Sequence, residues 1–266
     1  MFDSIAGDYD ALNHILSLDV DKIWRKKALK QIVDAPAPAR VLDLACGTGD
    51  FSIAIAKALS RSHKRVGTPI EAHVKAPAKV PVEAQVTSTG FVTGDSGRSD
   101  LMTKGHVTGV DLSEGMLAVM REKVAKAGLT EMISIEEGDG ENLRFPDNTF
   151  DRVTIAFGIR NFENREKGLR EMLRVLKPGG RLVILELSRP ENKVIRWFYD
   201  LYFLHILPKI GGKVSGDKAA YAYLPASVAA FPGKKAFMAT MREAGFRTVT
   251  HKAFTLGICR MYTGEK

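Results

Sequence analysis

Cysteine is scarce in this sequence: Cys46 and Cys259 are the only two among 266 residues. They stand far apart and outside any metal-ligand spacing, so neither a disulfide framework nor a zinc site is expected. No His/Cys/Asp cluster points to another metal either. Long apolar runs are missing as well, which excludes a membrane-spanning helix of roughly eighteen residues or more. The opening MFDSIAGDYD carries acids where a secretory leader carries positive charge ahead of an apolar core. The expected setting is therefore cytoplasmic, with any membrane contact peripheral, at the inner face of the cytoplasmic membrane. Arginine-rich tracts, RNA-stacking signatures and finger or helix-turn-helix spacings are also lacking, which counts against nucleic acid as a partner.

What is present describes a soluble globular chain, 45% hydrophobic and 26% charged, with enough length for a large core. We expect a single domain over 1–266. The net charge of +8 is unevenly placed. From Arg189 to the end there are 13 Lys and Arg against 5 Asp and Glu, while the preceding residues balance at 26 of each. A basic face of this kind suits anionic lipid or an acidic substrate, and it is equally compatible with plain solvated surface.

The most informative stretch is VLDLACGTGDF, residues 41–51. Val41, Leu42 and Leu44 suit a buried strand, Gly47 and Gly49 let backbone approach a ligand, and Asp50 favours the start of a helix carrying Phe51, Ile53 and Ile55. The turn lacks the third glycine of the dinucleotide fingerprint and has no Gly-Lys-Ser/Thr phosphate cradle. Asp43, at the strand's carboxyl end, would repel a pyrophosphate but welcome an ammonium and a sulfonium. That chemistry points to S-adenosylmethionine rather than NAD.

Apolar runs then alternate with helical periods, as in a mostly parallel sheet with crossover helices on both faces. Strands are expected at 40–44, 106–110, 132–136, 151–156, 181–187, 246–252 and 257–263. Helices are expected at 50–59, 114–127, 164–176 and 234–244. The last two strands have no helix between them, so a hairpin should place one reversed strand near the edge of a seven-stranded Rossmann-like α/β sheet. The acid that should bind ribose hydroxyls usually lies roughly 20 residues beyond the glycine turn. Here the candidate is the much later Asp111, so 60–106 reads as an insertion, either a small β excursion or a loop. Asp139 and Gly140 after the third strand can hold adenine's amino group, and TIAFG, residues 154–158, ends the fourth strand above the turn. These segments all fall at strand carboxyl ends, where open α/β sheets bind ligands.

Four stretches carry a resemblance: FDSIAGDYDALNHILSLDVDKIWR, VLDLACGTGDF, FPDNTFDRVTIAFGIRNFENR and RVLKPGGRLVILELSRP. On these the chain resembles the quinone-biosynthesis C-methyltransferases, which methylate demethylmenaquinone and ubiquinone precursors within the class I S-adenosylmethionine-dependent fold. The resemblance implies that Thr48, Asp111, Asp139 and Gly140 bind the cofactor, with Gly47 and Gly49 shaping the turn beside the Asp43 already read as a cofactor-site carboxylate, and that helical lid elements lie at the amino terminus and before the last strands. Two positions depart from the family pattern. Asp21 stands in the region where a histidine is common, and Ala156 replaces a serine that would add one cofactor hydrogen bond.

The implied reaction is methylation of a ring carbon in a polyprenylated quinol, demethylmenaquinol first, with the ubiquinone precursor or another phenolic or lipid acceptor as the alternative. Losing a phenolic proton pushes charge onto the ring carbon. At neutral pH this costs roughly 4 kcal/mol, which a nearby cation offsets. Arg160 and Asn161 are the expected catalytic pair: the guanidinium would stabilise the phenolate while the amide orients the ring. The alternative is a structural arginine bonding a loop carbonyl or Glu163. Tyr9, Asp10 and Asn13 either close over the site or cap a helix. The segment 189–233 reads as the lid and substrate-binding part. Within it residues 194–212 read as an apolar helix, bearing His205 and with Arg196, Lys209 and Lys213 nearby, that lines an isoprenoid channel beside anionic lipid or packs in the lid or a homodimer. Tyr221 and Tyr223 belong to the same cover.

Overall fold

The structure, a computed structural model, describes residues 20–36, 38–66, 105–202 and 218–266. Its elements are α1 (Val20–Ile32), β1 (Arg40–Leu44), α2 (Asp50–Val66), β2 (His106–Asp111), α3 (Glu114–Lys126), β3 (Ile133–Glu137), β4 (Phe150–Ala156), α4 (Arg165–Val175), β5 (Leu176–Leu187), α5 (Lys193–Asp200), α6 (Lys218–Ala230), α7 (Lys234–Glu243), β6 (Arg247–Phe254) and β7 (Cys259–Glu265). Short 3-10 turns occupy Ile159–Asn161 and Thr255–Gly257.

The strands form one seven-stranded sheet in the order β3-β2-β1-β4-β5-β7-β6. β1 to β5 run parallel, and β7 is antiparallel to both neighbours, so the reversed strand lies one place in from the edge as the terminal hairpin implied. Strand order switches direction between β1 and β4, and a crevice opens at the carboxyl ends beside such a switch. Helices cover both faces. Trp24, Ala28 and Ile32 of α1, Phe51 and Ile55 of α2 and Met120 of α3 fill one core, while Leu169 and Met172 of α4 and Phe237 and Met241 of α7 fill the other. Strand alternation in β1 sends Val41 to the first core and Leu42 and Leu44 to the second. Asp43 therefore stands on the same face as Val41, a carboxylate at a core position.

Strand positions fall within a few residues of expectation, with two informative differences. The helix expected at 50–59 runs on to Val66, because the sequence offers no glycine or proline before Gly67, so its last turns take the first residues of the expected insertion. Residues 67–104 lie outside the described residues. The breakers Lys177-Pro178-Gly179-Gly180 do not form a separate loop. They bulge out within β5, whose Leu176 pairs with Phe150 and whose Arg181 already pairs with Arg152.

Candidate functional site

β1 ends in a turn that only particular residues can make. Gly49 has φ of +82°, and a Cβ there would meet Met120 Cγ at 2.4 Å, so the turn can close over α3 only with glycine. Gly47, at φ +55°, donates its N–H to Asp111 Oδ2 at 2.8 Å, and Ser113 donates to Oδ1 at 2.9 Å. Asp111 thus ties the ends of β1 and β2 together, and a carboxylate has further lone pairs for hydroxyl donors. Ala45 (φ +48°) and Phe157 (φ +62°) hold left-handed conformations that side chains rarely adopt. Both line the cavities below, and such strain collects at functional sites.

A cavity of about 330 Å³ opens between the ends of β1, β2, β3 and β4, lined among others by Gly47, Asp111, Asp139, Gly140, Asn161 and Glu163. Asp139 uses Oδ1 to accept the N–H of Glu141 at 2.8 Å, which fixes the carboxylate at the rim. A Cβ on Gly140 would lie 2.6 Å from the Phe162 ring. A smaller cavity of about 50 Å³ adjoins it, sharing Ala45, Gly47, Ala156 and Phe157 and adding Arg25, Asp43, Cys46 and Thr48. Gly49 lines neither and acts through the turn.

The small cavity brings charges of opposite sign together, Arg25 with Asp43 and Asp50. Asp43 is buried, with Ser52 Oγ donating to its Oδ2 at 2.6 Å. Burial pushes its carboxyl up to about 7, an effect that Asp111 adds to and that Ser52 and Arg25 oppose. Thr48 is buried and its hydroxyl accepts from Lys123 Nζ at 3.3 Å. The sequence reading missed Arg25. Its guanidinium reaches Asp50 at 3.3 Å and Asp21 at 3.5 Å, with Cζ 5.7 Å from the centre of the Phe157 ring. Its Nε is buried with no partner among the described residues. A detectable signal existed: Asp21 and Arg25 form an i,i+4 pair beside the buried stripe Trp24, Ala28, Ile32. Cys46 packs its Sγ 3.5 Å from Met120 Sδ, and burial pushes the thiol up, away from nucleophilic use.

The expected catalytic residues are placed differently from each other. A Cβ on Gly158 would lie 2.5 Å from Ala45 Cβ, so glycine lets the loop after β4 close against the turn. Asn161 lines the large cavity. Arg160 does not. Its Nη1 donates to Glu186 Oε1 at 2.9 Å and to the Phe157 carbonyl, its backbone N–H donates to Glu186 Oε2 at 3.1 Å, and its Nε donates to Ser227 Oγ at 3.3 Å. The carbonyl contact was anticipated as the structural alternative; the anion is Glu186, not Glu163. FGIRN and Glu186-Leu187-Ser188 are thereby joined in the fold: one supplies the cation and the other its buried counter-charge, with Ser188 Oγ donating to the Gly257 carbonyl at 2.7 Å. Tyr9, Asp10, Asn13, His205, Lys209 and Lys213 lie outside the described residues, as does the Tyr221 side chain.

The chain has the fold of S-adenosylmethionine-dependent methyltransferases. A SAM-dependent methyltransferase from Aquifex aeolicus superimposes with a TM-score of 0.54 at 19% identity, covering 90% of this chain and 88% of that one. The [4+2]-cyclase SpnF gives 0.56 at 15% identity, covering 91% and 80%. Likeness at this level speaks for the fold alone. The sequence narrows it: the model of the ubiE/COQ5 methyltransferase family matches residues 1–266, and the chain belongs to that family. It is 43% identical over its whole length to the ubiquinone/menaquinone biosynthesis C-methyltransferase UbiE of Geobacter sulfurreducens, covering 87% of that protein. It is 39% identical, again over its whole length, to the demethylmenaquinone methyltransferase of Bacteroides fragilis, covering 91%.

Proposed function

We propose that this enzyme uses S-adenosylmethionine to methylate a ring carbon of demethylmenaquinol, giving menaquinol. The observation that carries the reading is the pair of adjoining cavities, with carboxylates for hydroxyl and amino donors in the larger and an opposed Asp43 and Arg25 in the smaller. That layout fits a nucleoside joined to an amino acid. Asp111 takes the ribose hydroxyls and Asp139 the adenine amino group. Gly140 leaves room for the ring, Asp43 and Thr48 face the ammonium end, and Arg25 meets the carboxylate with its Nε, which has no partner among the described residues. The cofactor supplies an electrophilic methyl group; the protein supplies alignment and charge.

On the acceptor side Asn161 faces the quinol oxygen, and Arg160, held under the loop by Glu186, favours the phenolate through its field. α6 packs over this side, against the turn that carries Asn161. Labelled S-adenosylmethionine offered with reduced demethylmenaquinone is expected to transfer label to the ring, and Asp111→Ala is expected to abolish that transfer by loss of cofactor affinity. Label passing only to the ubiquinone precursor would move the substrate to that branch, and label in neither would overturn the reading.

Peripheral contact with an anionic membrane belongs to the same proposal. No described helix is long and apolar enough to cross a membrane. α5 leaves Val194, Trp197 and Phe198 exposed by 60% or more beside Lys193 and Arg196, a face suited to headgroups and acyl chains. Flotation with phosphatidylglycerol vesicles should carry the protein at low salt, and Trp197→Ala with Phe198→Ala should reduce binding more than about tenfold. If no binding is seen and sedimentation instead gives twice the chain mass, a homodimer covers that face.

A further inference from the structure

We propose that Tyr223 is a positioning residue that fixes which hydrogen-bonding face Asn161 turns to the acceptor, making the site a reader of an acceptor oxygen. This rests on the quinol reading above and deepens it. Tyr223, on α6, donates its phenolic O–H to Asn161 Oδ1 at 2.9 Å. A carboxamide has one acceptor oxygen and one donor N–H pair, and in solution the two exchange places by a flip. With Oδ1 committed to Tyr223, the face that Asn161 offers the large cavity, which it lines, is its N–H pair.

The surrounding structure makes that orientation definite. Asn161 closes the 3-10 turn after β4 by donating its backbone N–H to the Gly158 carbonyl at 3.0 Å, so its Cβ has a fixed origin. α6 is held against the same turn at a second point, where Ser227 Oγ accepts from Arg160 Nε at 3.3 Å and itself donates to the Leu224 carbonyl at 2.9 Å. The carboxylates of Asp111, Asp139 and Glu163 that line the cavity accept hydrogen bonds and cannot stabilise an oxygen that is losing its proton. A fixed donor at Asn161 answers that need. It favours the quinolate, whose oxygen accepts strongly, over the quinol, whose hydroxyl prefers to donate.

Tyr223→Phe removes one oxygen and leaves the ring packing in place. We expect kcat/KM for the quinol to fall about tenfold or more, with S-adenosylhomocysteine affinity unchanged within about twofold. In an Asn161→Ala background the same substitution should cost nothing further, because the tyrosine acts through the amide. Equal losses in both backgrounds, or no loss in either, would overturn the proposal. A second measurement is independent of the acceptor's identity. The side-chain amide resonances of Asn161, identified by their loss in Asn161→Ala, should move in Tyr223→Phe, and unmoved resonances would also overturn it. Moved resonances in a protein that methylates no quinol would instead count against the substrate reading while leaving the Tyr223 coupling in place.

Discussion

Replacing Arg160 with Ala is expected to lower the stability of the protein by about 3–5 kcal/mol, in addition to slowing methyl transfer. The reason lies under the loop rather than in the cavity. The Glu186 side chain is 0% exposed and accepts from the Arg160 Nη1, the Arg160 backbone N–H and its own neighbour's Leu187 N–H. Removing the guanidinium leaves the two backbone donors but strands a buried carboxylate without its counter-charge. The Phe157 carbonyl and Ser227 Oγ each lose the donor that Arg160 supplies, while Ser227 keeps its own bond to the Leu224 carbonyl. Urea denaturation reads the effect directly, and Glu186→Gln placed on top of Arg160→Ala should recover part of the loss because the stranded group no longer carries charge. An Arg160→Ala protein with an unshifted midpoint would show that the ion pair contributes nothing net. Measured at a temperature where the variant stays folded, turnover with saturating quinol should still fall, since the cation next to Asn161 is gone.

The Arg160 outcome illustrates which parts of the molecule were legible in sequence. Period and punctuation located all seven strands, because buried parallel strands read as short apolar runs and their breakers are explicit. The glycine turn and Asp111 were legible because each is local: a φ only glycine tolerates easily, and a carboxylate at a strand end. Contacts between distant stretches were not legible. Nothing in FGIRN states that its arginine faces a strand that begins beyond the next helix, so the motif alone points it toward the substrate. Arg25 is hidden for the same reason: its role follows from α1 packing Trp24 against the first core and bringing the next residue beside Phe157. α6 was harder still. Its sequence carries Pro225 inside the helix and weak apolar periodicity, so its place over Asn161 emerges only from the contacts of Tyr223 and Ser227.

Replacing Asp43 with Asn is expected to stabilise the cofactor-free protein above neutral pH while weakening cofactor binding. Burial raises the Asp43 carboxyl from its ordinary 3.8 to about 7, so the fold prefers the protonated group. The favourable contribution of that proton is complete below about pH 4, and it is lost progressively as pH climbs to 7. Above that range the charged group penalises the empty fold by about 4 kcal/mol. Asn keeps a polar partner for Ser52 Oγ but never charges, so it escapes the penalty. The stability difference between variant and parent should therefore be small at pH 4, grow through pH 7 and level off beyond it, and denaturant midpoints at the two ends would reveal it. Equal differences at both ends would mean that the carboxylate is solvated or compensated in the native state. Cofactor binding should respond in the opposite sense. An ammonium brought beside Asp43 favours its charged form, so S-adenosylhomocysteine affinity of the parent should rise as pH climbs through 7, with proton release, whereas the Asn variant should bind more weakly and lack that rise. The destabilising carboxylate of β1 is on this account kept for the ligand: the empty fold carries its cost, and binding recovers it.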